Sequence, residues 1–182
     1  MLNHFSKNKG NLIFIFSAIT LFLSYYFNED GSGGGAKGDF EITYGFVLAL
    51  QENLLSDPKD WSLVHTPLHF IILSVVTRLV SNTDLLRLLF CLFSLSLPLF
   101  FLFSILIKNS YNISKTNILI LSSALIFIPS FRYTSIWAND LITSLTFFTI
   151  SIYFFNKWEN NTKKNFDKYC LLNIFFLVLA TY

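Results

Sequence analysis

Apolar and polar positions separate along this chain into long blocks. Apolar runs cover residues 11–27, 67–80, 85–107, 116–131, 141–155 and 169–182, and polar stretches lie between them. A helix rises about 1.5 Å per residue, so crossing a hydrocarbon core of ~30 Å takes roughly 20 residues, fewer where flanking side chains snorkel. The pattern predicts an all-α fold, a polytopic membrane helix bundle forming a single domain over 1–182. Its first transmembrane helix is 11–27, a long loop covers 28–83, and further transmembrane helices fill 84–182. The shortest complete run, 67–80, is interrupted by Arg78 near its end, and whether it crosses sets the sidedness of everything after it.

The first run follows Lys7 and Lys9 and has no small-residue cleavage site at its end, since Gly34 and Ala36 lie beyond Glu29 and Asp30. It reads as an uncleaved anchor with a cytoplasmic N-terminus. Lysine placement then argues that 67–80 does not cross. In that arrangement Lys7, Lys9, Lys108, Lys115, Lys157, Lys163, Lys164 and Lys168 all face the cytoplasm, against Lys37, Lys59, Arg78, Arg87 and Arg132 outside. Residues 28–83 become one large outer loop carrying juxtamembrane helices, and 131–140 becomes a short second one.

Inside the first loop, residues 28–38 have the glycine content of a flexible connector, which argues against helix. From Asp39 to Leu55, Phe40, Tyr44, Val47 and Leu48 recur at helical spacing, which predicts a helix on the membrane surface with Asp39 at its N-terminal edge. Asp39 is open to two roles there, helix cap or functional carboxylate. Thr66 and Pro67 form a helix-start signature, which puts His65 outside that helix and His69 inside it, a poor metal pair. Trp61 reads as an interfacial anchor.

Composition adds exclusions. The chain is 53% hydrophobic and only 13% charged, with net charge +2 and no concentrated basic patch, which argues against a nucleic-acid partner. Cys91 and Cys170 stand alone in apolar surroundings and read as structural thiols. Arg132 and Asp140 border apolar sequence, where an ionisable group is costly, so each is a candidate for function as well as for snorkelling or capping.

The order of these features resembles the membrane glycosyltransferases of superfamily C, the relatives of dolichyl-phosphate-mannose protein mannosyltransferases and aminoarabinose lipid A transferases. "GDFE" with Asp39 and Glu41, "HTPLHF" with Pro67 and Leu68, and "NDLITSLTFF" with Asp140 are the counterparts of that family's short motifs. Thr66 replaces the first proline of the usual pair, and the acidic residues are separated rather than adjacent.

The resemblance implies an inverting transfer of sugar from a polyprenyl-phosphate carrier to an acceptor glycan, lipid or protein. It places the enzyme in the bacterial inner membrane with its site facing the periplasm or exterior. Asp39 is the implied general base, with Asp140 and Glu41 as further catalytic carboxylates. Arg78, Arg87 and Arg132 would bind the donor phosphate, His65 and His69 would contact substrate or metal, and a divalent metal ion is a possible cofactor. The family's further helices imply that this chain is the N-terminal portion of a larger transferase module. A lipid-linked polysaccharide polymerase or ligase and a non-catalytic accessory or transport subunit are the alternative readings. Acids sit only at the edges of the spans, which counts against transport.

Overall fold

The computed structural model describes residues 2–52, 67–108, 112–161 and 167–181, and all its regular structure is helical. His65, Trp61 and Thr66 lie outside the described residues, as does all of the segment 53–66 that was read as part of the outer loop.

Helix α1 (Leu2–Tyr26) stops because Asn28 adopts φ +52°, and the turn closes with Glu29 N–H donating to Ser24 O at 2.9 Å and Asn28 N–H to Tyr25 O at 3.1 Å. This is the six-residue C-cap in which asparagine stands in for the usual glycine.

Helix α2 (Gly35–Glu52) starts four residues before Asp39, inside the segment expected to be non-helical. The expectation fails because the first-turn N–H groups are capped from upstream. Ser32 Oγ accepts from Ala36 N at 2.7 Å, and Asp30 Oδ2 accepts from Lys37 N at 3.0 Å. Gly33 and Gly34, at φ +69° and +102°, make the turn between cap and helix. Asp39 therefore sits in the second turn and is no N-cap.

Helix α3 (Pro67–Leu79) packs against α2, where Gln51 Nε2 donates to Ser74 O at 3.0 Å and to Thr77 Oγ1. Helices α4 (Thr83–Ser94) and α5 (Ser96–Ile107) run on as a 25-residue apolar span, interrupted at Leu95 because Pro98 has no N–H for the Ser94 carbonyl. Helix α6 (Lys115–Ile126) turns by 63° into α7 (Pro129–Ile136), since Ile128 before the proline is held extended at ψ 122°. The apolar run at 116–131, expected as one helix, is thus a broken one. Helix α8 (Asp140–Glu159) is capped by Asn139 accepting from Leu141 N at 3.1 Å, and α9 (Lys168–Thr181) by Asp167 accepting from Tyr169 N at 3.0 Å.

Among the described residues, two helices, α1 and α4–α5, are long and apolar enough to cross a membrane, and the bent α6–α7 pair makes three if it counts as one span. Helix α8, 20 residues long, is not among them.

Contacts at the two ends of the bundle establish an antiparallel order. At one end, Tyr25 OH donates to Asp84 O at 2.7 Å and Trp137 Nε1 donates to Glu29 O at 3.0 Å, so the end of α1 meets the start of α4 and the α7–α8 turn. At the other, Lys108 pairs with Glu159, Asn160 Nδ2 donates to Ile107 O at 3.1 Å, and Gly10 lies against Thr116 and Leu119.

Helix α3 keeps both ends at the first of these. His69 in its first turn bonds Thr143 in the first turns of α8, and its last residue is followed within four positions by α4. It therefore does not run the length of the bundle. The main core gathers there too, with Leu21, Val47, Leu73, Leu86, Cys91, Ile136 and Ile142 fully or almost fully buried.

Candidate functional site

A polar cavity of about 610 Å³ opens at the end where α1, α2, α4 and the α7–α8 turn converge. Its walls carry two cations, Lys37 and Arg87, three carboxylates, Asp30, Glu41 and Asp84, and the rings of Phe40, Tyr44 and Trp137.

Arg87 dominates the electrostatics because it is only 5% exposed. Its Nε donates to Ile136 O at 3.1 Å, its Nη1 lies 3.5 Å from Asp84 Oδ1, and its guanidinium stacks 3.7 Å above the Trp137 ring, with Tyr25 at 5.4 Å. Nη2 is buried with no hydrogen-bond partner among the described residues. Asp84 is largely solvated, at 76% side-chain exposure, so it neutralises the guanidinium only in part. A buried cation with an unfilled donor, on the wall of a cavity, is a place for an anionic oxygen.

Across the cavity, Lys37 and Glu41 stand one helical turn apart on α2, 3.8 Å from each other and both more than half exposed. Glu41 thus presents an accessible carboxylate to the same space as Arg87. Asp39, two residues earlier, is exposed and does not line the cavity. Asp30 lines it but is committed to capping. Burial raises its carboxyl slightly, while hydrogen bonds from Ser32 and from the Lys37 and Ser32 backbone outweigh this and hold it below its ordinary value.

The other residues read from sequence fall elsewhere. Arg132 is gripped by Glu29, with Nε to Oε1 at 3.1 Å and Nη2 to Oε2 at 2.8 Å, and also bonds Ser24 Oγ and the Thr20 carbonyl. Its Nε and Nη2 donors are taken. Arg78 is exposed near the end of α3 and away from the cavity. Asp140 opens α8, half-buried, and its charge reaches His69. His69 is 1% exposed and bonded through Nδ1 to Thr143 Oγ1 at 2.9 Å, so it is a core residue joining α3 to α8. Of the three arginines expected to bind phosphate, the cavity holds Arg87 alone, and of the three carboxylates expected to be catalytic, Glu41 alone.

Among the described residues, no group of three or more His, Cys, Asp or Glu comes together to hold a metal ion.

Three features escaped sequence reading: the Glu29–Arg132 pair, the Asp30 cap and the Arg87–Trp137 stack. Only the Asp30 cap leaves a local signal, an acid and a serine upstream of a helix start. Comparison with protein-family models, with curated proteins and with solved structures gives no match.

Proposed function

We propose that this chain forms the membrane-embedded site of a glycosyltransferase that moves a sugar from a polyprenyl-phosphate donor to an acceptor at the outer face of a polytopic bundle. The observation that carries the reading is a cavity that brings buried Arg87, whose Nη2 is unfilled among the described residues, together with the accessible carboxylate of Glu41. Lys9, Lys108, Lys115 and Lys157 lie at or next to the opposite end of the bundle, which supports reading the cavity end as the outer one.

In this reading the donor phosphate sits against Arg87 and Lys37, with its lipid running alongside the bundle. Glu41 takes the proton of the acceptor hydroxyl or amine as that atom attacks the anomeric carbon. The carbon–oxygen bond to phosphate breaks with its electron pair, leaving a lipid phosphate whose added charge Arg87 offsets. Attack opposite the leaving group inverts the anomeric centre. Lys37 and Glu41, one helical turn apart, bring a cation and an accessible carboxylate to the same face of α2.

The test compares Glu41→Gln with Asp39→Asn in native membranes, scoring sugar transfer from a polyprenyl-phosphate donor at equal protein abundance. Glu41→Gln is expected to lose about 100-fold or more, while Asp39→Asn stays near wild type. Equal activity in both variants would remove Glu41 as the base.

A further inference from the structure

A second, apolar hollow of about 560 Å³ lies away from the polar cavity, between one face of α5 and one face of α8, with α6 and α7 along its flank. Helices α6 and α8 both pack on α5 but not extensively on each other, and the hollow is the gap that this leaves. Along α8 it extends from Leu141 to Asn156, about 22 Å of helix axis, and along α5 from Leu97 to Lys108, about 16 Å. One leaflet of a ~30 Å hydrocarbon core is about 15 Å deep. The hollow is therefore at least as deep as one leaflet, and its walls are the side chains of a hydrocarbon site, Phe101, Leu145, Phe148 and Ile152 among them.

Its two ends differ. The end beside α7 carries Ser130 and Thr134, and Thr134 Oγ1 is already satisfied by Ser130 O at 2.6 Å. No cation lines the hollow there. The opposite end carries Lys108, Asn156 and Ser104. Ser104 is 5% exposed, and its hydroxyl has no hydrogen-bond partner among the described residues. Lys108 has three N–H donors, of which Glu159 takes one, and its side chain stays 42% exposed. A charged donor at the rim and an unfilled hydroxyl just inside it match a phosphate followed by an ester carbonyl, with an apolar tail continuing inward.

We propose that this hollow is a binding site for one glycerophospholipid, whose acyl chain lies between α5 and α8 and whose phosphate sits at Lys108. The headgroup then belongs to the leaflet opposite the Arg87 cavity, so the bound lipid is a different molecule from any donor at that cavity. The proposal does not depend on the glycosyltransferase reading.

The experiment uses the full chain in nanodiscs of phosphatidylcholine containing phosphatidylglycerol with a photoactivatable diazirine in one acyl chain. After illumination, crosslinked residues are mapped by mass spectrometry. The expected result is crosslinking concentrated on Leu145, Phe148, Ile152 and Phe101, lost in Thr149→Trp and in Ile152→Trp, which fill the hollow from two positions. Lys108→Gln should lower capture of labelled phosphatidylglycerol, because its phosphate would lose the cation that holds it. Crosslinks spread evenly over the exposed faces of α1, α5 and α9 would show surrounding bulk lipid only and overturn the proposal. So would crosslinks that survive both tryptophan variants in folded protein, judged by an unchanged melting midpoint.

Discussion

Arg132 holds Glu29 through two parallel contacts, Nε to Oε1 at 3.1 Å and Nη2 to Oε2 at 2.8 Å, across 103 positions of sequence. The pair ties the exit of α1 to α7, and the Glu29 carbonyl also receives the Trp137 indole N–H at 3.0 Å. Trp137 in turn is the surface on which Arg87 lies. One ion pair thus sets the relative position of the elements that wall the polar cavity.

Breaking the pair from the acid side leaves the arginine, 14% exposed, without its counter-charge. Glu29→Ala is expected to cost about 1–2 kcal/mol, below the value for a fully buried pair because Glu29 is 41% exposed. A double-mutant cycle with Arg132→Ala, read from unfolding midpoints in detergent, should return a coupling of about 1 kcal/mol.

The same pair predicts an acid sensitivity. Burial pushes the Glu29 carboxyl up, but hydrogen bonds to Ser24 and Arg132 and the Arg132 charge outweigh it, so the folded value lies below the ordinary 4.5. A carboxyl that binds its proton less readily when folded stabilises the fold above its unfolded value, and that contribution is lost as pH falls through the folded one. Unfolding midpoints of the wild type should therefore drop between about pH 5 and pH 3. In Glu29→Gln that drop should be visibly shallower.

The helices were legible wherever one local cause sufficed. Apolar blocks at 67–80 and 141–155 became α3 and α8 with ends shifted by a few residues at most, because burial favours the same residues that mark the block. The break before Pro129 was written in the sequence, yet the apolar run continues through it and hides the change in direction. The start of α2 was misjudged because glycine content was weighed without the Asp30 and Ser32 side chains that cap it. Positively charged candidates could be enumerated, but Arg132 and Arg87 look alike until long-range partners distinguish them. Glu29 silences one, and Trp137 with the Ile136 carbonyl positions the other. Periodicity carries no information about such partners.

Gly10 sets the approach of α1 to α6. A Cβ there would lie 2.9 Å from Leu119 Cδ1 and 3.1 Å from Thr116 Cα, and the second of these is backbone. Rotating Leu119 cannot relieve it, so the helices must part. Gly10→Ala is expected to destabilise by about 1–2 kcal/mol despite its better helix propensity. Thermal unfolding in detergent measures this, and an unchanged midpoint would mean that the two helices can separate freely.

Sidedness follows from which groups share an end of the bundle. Cysteine at Ser32 or Ser130, both exposed, should react with a membrane-impermeant thiol reagent in intact cells, in a background where Cys91 and Cys170 are serine. Cysteine at Ser114 or Asn161 should react only after the membrane is opened. Labelling of all four in intact cells would contradict an outer cavity and an inner Lys108 end.

Arg87→Lys separates charge from shape. A lysine keeps the positive charge but cannot at once donate to Ile136 O, lie flat on Trp137 and reach Asp84, because its ammonium is a single point on a flexible stem. If Arg87 contacts the donor phosphate, the variant should raise the KM for a polyprenyl-phosphate sugar and lower kcat/KM by about 10-fold or more, at unchanged membrane abundance. If Arg87 serves only as a prop under the α7–α8 turn, Arg87→Lys should lower the melting midpoint and leave KM where it was. Arg87→Gln completes the comparison, since it can still reach a carbonyl but carries no charge. Under the phosphate reading it should be worse than Arg87→Lys for the donor. Under the prop reading the two variants should differ in stability alone.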